Sequence, residues 1–379
     1  MSVGGGGSIE LVAAELREVR WPLAPVGAAG RRTHAWRRAG LVRVRVRTGD
    51  VAGLGLGEAA ALAGSAEAEL REHEVAMDEL RRWVAAPRAA ASSAAECAAR
   101  AEAAAPRSPA ARFAIESALL DALASARGVA VADLLHAAPA PRVAVNAVVA
   151  DLASARAAAR RGIRTFKLKL GLETDDDARL LAELRRELGG DARLRGDANG
   201  CWPVDEVGAR LRALAGAGLE YVEEPCADLP AALRGGASWA IPVALDESLG
   251  VLAAAEVAEL ARHPALAALI LKPTRLGGFA PCLALARAAA AAGKAAIVTH
   301  ALEGPVAMAG CAELARALAP LQRAAPAVGV DLHPGLAAWP LRPPQHDACA
   351  LRAAPDAGLG LAARWDELTP TPGTDEVSP

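Results

Sequence analysis

Hydrophobic and polar positions along this 379-residue chain change rhythm twice. From about residue 8 to residue 60, apolar and polar positions alternate in IELVAAEL and LVRVRVR, with glycine-rich breaks between the runs. Period-two alternation turns one face of a strand to a core and the other to water, so an antiparallel meander is expected. In RVRVR, 43–47, valines supply the buried face and arginines the solvated one. From about 65 to 135 the spacing becomes helical, through AELREHEVAMDELRRWV and then ARFAIESALLDALASARG after Pro106 and Pro109. Gly128 closes the last of these helices as a C-cap. Together these stretches predict an N-terminal α+β domain.

At RVAVNAVVA, 142–150, short apolar strands begin to alternate with Ala/Leu/Arg helices. Candidate strands cover 142–149, 164–170, 193–197, 219–223, 242–246, 268–272, 295–299 and 328–331. Their connections are long enough to hold a helix, which forces parallel pairing through right-handed crossovers. The expected fold is α/β, a modified TIM barrel of (β/α)7β type, because the eighth unit lacks a full final helix. The expected boundaries are 1–137 for the first domain, with 1–8 disordered, and 138–335 for the barrel. The Pro-rich segment 336–379 then returns to the first domain.

Composition narrows the function. Lys plus Arg total 42 against 44 for Asp plus Glu, so net charge implies neither nucleic acid nor an anionic membrane as a partner. Cysteines 97, 201, 226, 282, 311 and 349 form no C-x-x-C motif, which suits reduced thiols in the cytoplasm. MSVGGGGSIE has no apolar signal core, and the apolar runs are too short and too often broken by charge to span a bilayer. A cytoplasmic protein acting on small molecules is expected.

The candidate chemistry sits at the strand ends. Lys169 in TFKLKLG, Asp197 in LRGDANG, Glu223 in YVEEP, Asp246 in VALDES and Lys272 in LILKPTRLGG follow one another at steps of 28, 26, 23 and 26 residues. That step is the length of a βα unit, so these groups should converge at one end of a barrel, where catalytic residues of such folds sit. Lys167 shares a strand face with Lys169. Two ammonium groups side by side disfavour charging, which would lower their pKa values toward those of a general base. Three neighbouring carboxylates need a positive charge between them, and hard oxygen donors suit Mg2+, with Mn2+ as the alternative ion. Glu224 and Glu247 fall on the adjacent faces and are expected to support the metal ligands, and Asn199 to add a polar contact.

In order and spacing, KLK, DANG-x-W, EEP, LDES and K-P-T-x-x-G-G resemble the enolase superfamily, specifically its muconate-lactonizing-enzyme-like subgroup. GLGEAA, 55–60, and FAIESALLDA, 113–122, look like landmarks of that family's capping domain, and VAVNA like its first barrel strand. The resemblance covers almost the whole chain. It implies Mg2+ bound by Asp197, Glu223 and Asp246, with Lys169 and Lys272 as acid/base groups on opposite faces of a carboxylate substrate. The Lys167 ammonium would help to stabilise an enediolate.

Within the subgroup the residues look most like an o-succinylbenzoate synthase, which dehydrates 2-succinyl-6-hydroxy-2,4-cyclohexadiene-1-carboxylate in menaquinone synthesis. KPT on strand six, LEG at 302–304 and VGVDLH at 328–333 carry that likeness. An N-succinylamino acid racemase, a dipeptide epimerase or a muconate cycloisomerase would keep the same lysines. A silent metabolite-binding barrel is the non-enzyme alternative, against which stands the retention of every charged position. Dipeptide epimerases show Asp-x-Asp near strand eight, where this chain has Asp331 and His333. His300 in VTHALEG stands where the subgroup has a small hydroxyl residue; it and Glu303 are candidate substrate contacts, and a pocket-wall imidazole is the other reading of His300. Arg32, with Arg31 and His34, could meet a distal carboxylate from the loop at 20–35, and surface salt bridges explain them equally well. The family's homo-oligomers make assembly possible without fixing a state.

Other motifs carry less. G53-L-G55-L-G57 lacks the spacing and acidic partner of a dinucleotide loop and reads as a turn between strands. His73-Glu74 lacks the second histidine of a zincin, and no serine sits in a G-x-S-x-G elbow.

Overall fold

Three antiparallel strands, β1 (Glu10–Pro22), β2 (Trp36–Thr48) and β3 (Val51–Ala59), form the first sheet in the order β1-β2-β3. The computed structural model describes residues 9–23, 36–62, 65–85, 91–171 and 173–368; the N-terminal eight residues and the Arg31, Arg32 and His34 group lie outside them. In β2, Val42, Val44 and Val46 are buried while Arg45 and Arg47 are exposed, as the alternation requires.

The sequence reading of 53–57 as a turn is corrected: these glycines lie inside β3. Every second residue there faces the helix Pro109–Arg127, whose backbone comes unusually close. A Cβ at Gly55 would lie 2.1 Å from the Ala118 carbonyl oxygen, and one at Gly57 would lie 1.8 Å from that of Ala114. Only hydrogen fits, so the stripe serves packing rather than a turn. Gly57→Ala should therefore destabilise the fold by on the order of 1–3 kcal/mol, read as a lower urea midpoint at unchanged slope. An unchanged midpoint would refute the close-packing account.

The barrel strands are β5 (Ala147–Val149), β6 (Thr165–Lys169), β7 (Arg193–Asp197), β8 (Leu219–Glu223), β9 (Val243–Leu245), β10 (Leu266–Leu271) and β11 (Ala295–Val298). They lie in chain order in one sheet, and each neighbouring pair is parallel. Closure comes from bridges rather than a full eighth strand: Gly329 pairs with Thr299 on one side and Val328 with Val145 on the other. The predicted strand 142–149 splits into two. Its first part, β4 (Arg142–Ala144), turns away to pair antiparallel with β12 (Ala350–Arg352), and only β5 joins the barrel.

The barrel floor is filled by Tyr221, Ala244, Ala268, Ile270 and Ile297. Arg195, 1% exposed, crosses it and donates to Asn146, the Ala327 carbonyl and Glu220. The segment after β12 returns to the first domain. Leu359 donates its amide to Asp121, and Trp365 lies under the guanidinium groups of Arg17 and Arg43. Among the described residues no helix is long and apolar enough to cross a membrane.

Candidate active site

Strand register assembles the site. In parallel pairing Lys169 stands beside Asp197, and Asp197 beside Glu223, so their side chains leave the sheet at one level and on one face. Asp246 follows β9 directly and Lys272 follows β10. The carboxylates of Asp197, Glu223 and Asp246 offer oxygens that all lie within 4.8 Å of one another, and all three residues are buried. Each also meets an amine. Lys167 Nζ lies 2.7 Å from Asp197 and donates to Glu223. Lys169 Nζ donates to Asp197 at 2.6 Å and to Asn199 Oδ1 at 2.8 Å, and Lys272 donates to Asp246. Lys169 is the most open of the three, with 36% of its side chain exposed against 10% for Lys167 and 13% for Lys272. It has the freest access to a molecule at the barrel mouth.

The carboxylates reverse the electrostatics expected from the K-x-K pair. Burial alone would depress Lys167, but the charges of Asp197, Glu223 and Asp246 outweigh it and raise its pKa well above the ordinary lysine value. Burial likewise opposes charge on Lys272, and Asp246 and Glu247 overcome it, raising that pKa too. The mutual repulsion of paired ammonium groups is therefore not the governing effect at Lys167. Burial pushes Glu223 up to about 7, against the pull of Lys167. Asp197 is held below the usual carboxylate range because Lys167, Lys169 and Lys272 together exceed its burial cost. Three convergent, buried, hard oxygen donors fit a small divalent cation such as Mg2+.

The neighbouring residues hold this geometry. Glu224 turns away from the acid triad and accepts the Asp246 amide at 2.7 Å, the Ser248 amide and the Ser248 hydroxyl, fixing the turn that presents Asp246. Glu247 accepts from Asn199 Nδ2 at 3.1 Å, tying the loops after β7 and β9 together. Asn199, Glu224 and Leu302 are the non-glycine residues with positive φ among those described, at 47°, 34° and 61°. All three lie in loops at the C-terminal ends of barrel strands, where strain is commonly retained for function.

The loop after β11 departs from the sequence reading at Glu303. Its side chain is completely buried and is spent on the Thr274 hydroxyl at 2.6 Å and the Ala301 amide at 2.5 Å. With both oxygens turned into protein, it shapes the loop and does not present itself to a substrate. His300 stays half-buried, its ring 4.9 Å from that of His333. Two residues of the first domain, which motif spacing left without a role, clamp the same loop. Arg37, fully buried, donates to the carbonyls of Ala60, Ala61, Ala301 and Leu302 and pairs with Glu69 at 2.6 Å. Glu58 of GLGEAA accepts the amides of Gly304, Val306 and Ala307, capping the helix Pro305–Leu318. Glu116 does the same at Phe279 and Ala280, the start of the helix Phe279–Ala291. Both landmark motifs thus supply acids that cap barrel helices. Capping of a helix remote in sequence leaves no local signal except an acid in an apolar run.

These buried acids predict a pH dependence. Burial pushes Glu58, Glu116 and Asp121 each up to about 7, from 4.5 for the glutamates and 3.8 for the aspartate. The folded state then binds protons that the unfolded chain has already released. Their contribution is fully present below about pH 4 and is lost as pH rises through about 7. The melting temperature should fall between pH 5 and pH 8, and Glu58→Gln should flatten that fall; a variant as pH-sensitive as the wild type would contradict it.

Comparison with known proteins agrees with this architecture. Residues 149–367 match the family model described as enolase C-terminal domain-like, and residues 11–136 match the mandelate racemase / muconate lactonizing enzyme N-terminal domain. The o-succinylbenzoate synthase of Thermobifida fusca (strain YX) is 35% identical over 190 residues, 48% of this chain and 58% of that protein. A chloromuconate cycloisomerase of Pseudomonas putida is 36% identical over 137 residues, 35% of this chain and 36% of that protein. The chain thus aligns with about a third to somewhat over half the length of these relatives. Among solved structures, a dipeptide epimerase from Methylococcus capsulatus complexed with Mg and the dipeptide L-Arg-D-Lys superposes with a TM-score of 0.73. It shares 24% identity and is covered over 99% of its length by 92% of this chain, so the likeness speaks to fold. Cap, barrel and rim of charged groups define an enzyme of the enolase superfamily. The chain belongs to its mandelate racemase / muconate lactonizing enzyme family.

Proposed function

We propose that this enzyme removes the α-proton of a small carboxylate and, as its particular reaction, dehydrates 2-succinyl-6-hydroxy-2,4-cyclohexadiene-1-carboxylate to o-succinylbenzoate, a step of menaquinone biosynthesis. The observation that carries the reading is the pair of amines flanking the buried acid triad, Lys169 at Asp197 and Lys272 at Asp246. Asp197, Glu223 and Asp246 would hold Mg2+ (or Mn2+), which when bound supplies positive charge to the carboxylate whose α-carbon is deprotonated.

Lys169, the most open amine, takes the proton from the α-carbon as a neutral base. Asn199 holds its Nζ beside Asp197. The same group returns that proton to the departing hydroxyl, so hydroxide leaves as water and no oxidant or reductant is needed. Formation of the aromatic ring drives this second half. Lys272 remains protonated beside Asp246 and, with the Lys167 ammonium, stabilises negative charge that grows only toward the transition state.

Racemisation of an N-succinylamino acid is the second reading, since lysines on both flanks could exchange a proton with either face of the carbon. Epimerisation of a dipeptide has less support. Asp331, the acid available near strand eight for a substrate amine, is already paired with both terminal nitrogens of Arg161, at 3.0 and 2.5 Å. The test is to supply the cyclohexadiene carboxylate with Mg2+ and follow the loss of diene absorbance. Turnover that vanishes on chelation and returns with Mg2+ is expected. A protein that leaves this substrate untouched, yet washes solvent deuterium into N-succinylamino acids with inversion, would replace the first reading with the second.

A further inference from the structure

The loop after β11 carries a group that takes no part in the proposed proton transfers and whose ring tautomer the backbone fixes. Leu302 donates its amide to His300 Nδ1 at 3.1 Å, so that nitrogen carries a lone pair and the ring proton of the neutral imidazole sits on Nε2. Burial, then the charges of His333, Lys167 and Lys272, push the His300 pKa well below the ordinary histidine value. Among the described residues no group accepts from Nε2. The ring stacks on His333 at 4.9 Å with planes tilted by 37°, and His333 is itself locked, donating Nε2–H to the Glu303 carbonyl at 2.6 Å. The backbone beneath is held by Arg37 on the Ala301 and Leu302 carbonyls and by Glu303 on the Ala301 amide.

We infer that His300 is a specificity-determining hydrogen-bond donor. Its Nε2–H binds an oxygen acceptor on the substrate substituent that lies toward strands seven and eight, and it selects carboxylate, carbonyl or hydroxyl groups over cationic ones. The inference rests on the proposed reaction for its choice of ligand but not for its chemistry. A neutral ring whose Nδ1 lone pair already accepts from the Leu302 amide has no free lone pair to take a proton or to accept from an ammonium group. It serves as a donor, not a base. The nearby ammonium groups of Lys167 and Lys272 repel a cationic substituent as well. His333 is a positioning residue that fixes the ring plane.

The test is calorimetric titration of the Mg2+-loaded enzyme with o-succinylbenzoate. His300→Phe keeps a flat ring against His333 but has no N–H, and should weaken binding about ten- to a hundredfold. His300→Gln, whose amide N–H reaches about as far as Nε2, should recover most of that loss, and in turnover KM should move more than kcat. Equal affinity in wild type and His300→Phe overturns the inference, as does failure of Gln to outperform Phe. If the wild type does not bind o-succinylbenzoate, the proposed reaction fails. Proton–nitrogen multiple-bond NMR of the wild-type protein, which needs neither variant nor ligand, then decides the inference. A neutral Nε2–H ring supports it, and an Nδ1–H or doubly protonated ring overturns it.

Discussion

Lys169→Ala is expected to lose about a thousandfold or more in turnover while the protein melts within a few degrees of wild type. A positioned acid/base group contributes about a hundred- to ten-thousandfold, and here one amine would serve twice, first as base and then as acid. Folding should be spared because Lys169 is more than one third exposed and its removal leaves no cavity in the core. Asp197 loses one of its two ammonium partners and keeps Lys167 at 2.7 Å, so no carboxylate is stranded. The readout is loss of the diene absorbance together with exchange of the α-proton against deuterated water. Retention of wild-type exchange in this variant would remove Lys169 from the mechanism, whatever became of the overall rate.

Asp246→Asn should have the second largest effect, on the ion rather than on the proton. The amide keeps an oxygen in place but deletes a unit charge, worth about 4 kcal/mol at roughly 4 Å for an effective dielectric of about 20. Affinity for Mg2+ should fall at least about a hundredfold. The Asp246 backbone amide stays bonded to Glu224, so the turn survives and the loss is specific to the site. Lys272 would lose its anionic partner, and its raised pKa should fall with it. Titration of Mg2+ into the metal-free variant measures the first effect, and an unchanged isotherm would take Asp246 out of the proposed ligand set.

Much of the fold was legible because its signals are local. Strand positions at 165–169, 193–197 and 219–223 follow from short strand-like runs ended by charge, and 295–298 from a bare apolar run, and the βα spacing then dictates which residues meet. The acid triad was legible for the same reason: one inward residue at each of three successive strand ends must converge. What escaped depended on partners remote in sequence. Nothing around Gly55 announces that a helix backbone passes a hydrogen's width away, so the stripe reads as a turn. Nothing around Glu303 says that Thr274 and Ala301 will consume its oxygens. Arg37 sits in a strand whose Arg43 and Arg45 face outward, and its burial depends on partners remote in sequence: the Ala60 and Ala61 carbonyls and Glu69 in its own domain, and the Ala301 and Leu302 carbonyls of the barrel. The lowered pKa expected of Lys167 failed for a related reason. Spacing along one strand shows the two amines, whereas the acids that govern Lys167 come from neighbouring strands.

The Arg37 and Glu58 clamp carries a consequence for grafting. Both residues belong to the N-terminal sheet, yet between them they hold the segment from Ala301 to Ala307 that follows His300. Exchanging the barrel alone with that of a relative would hand the incoming loop a guanidinium and a carboxylate shaped for another backbone. Chimeras should therefore tolerate a junction only where clamp and loop travel together, and substrate preference should be inherited as a property of the joint rather than of either module.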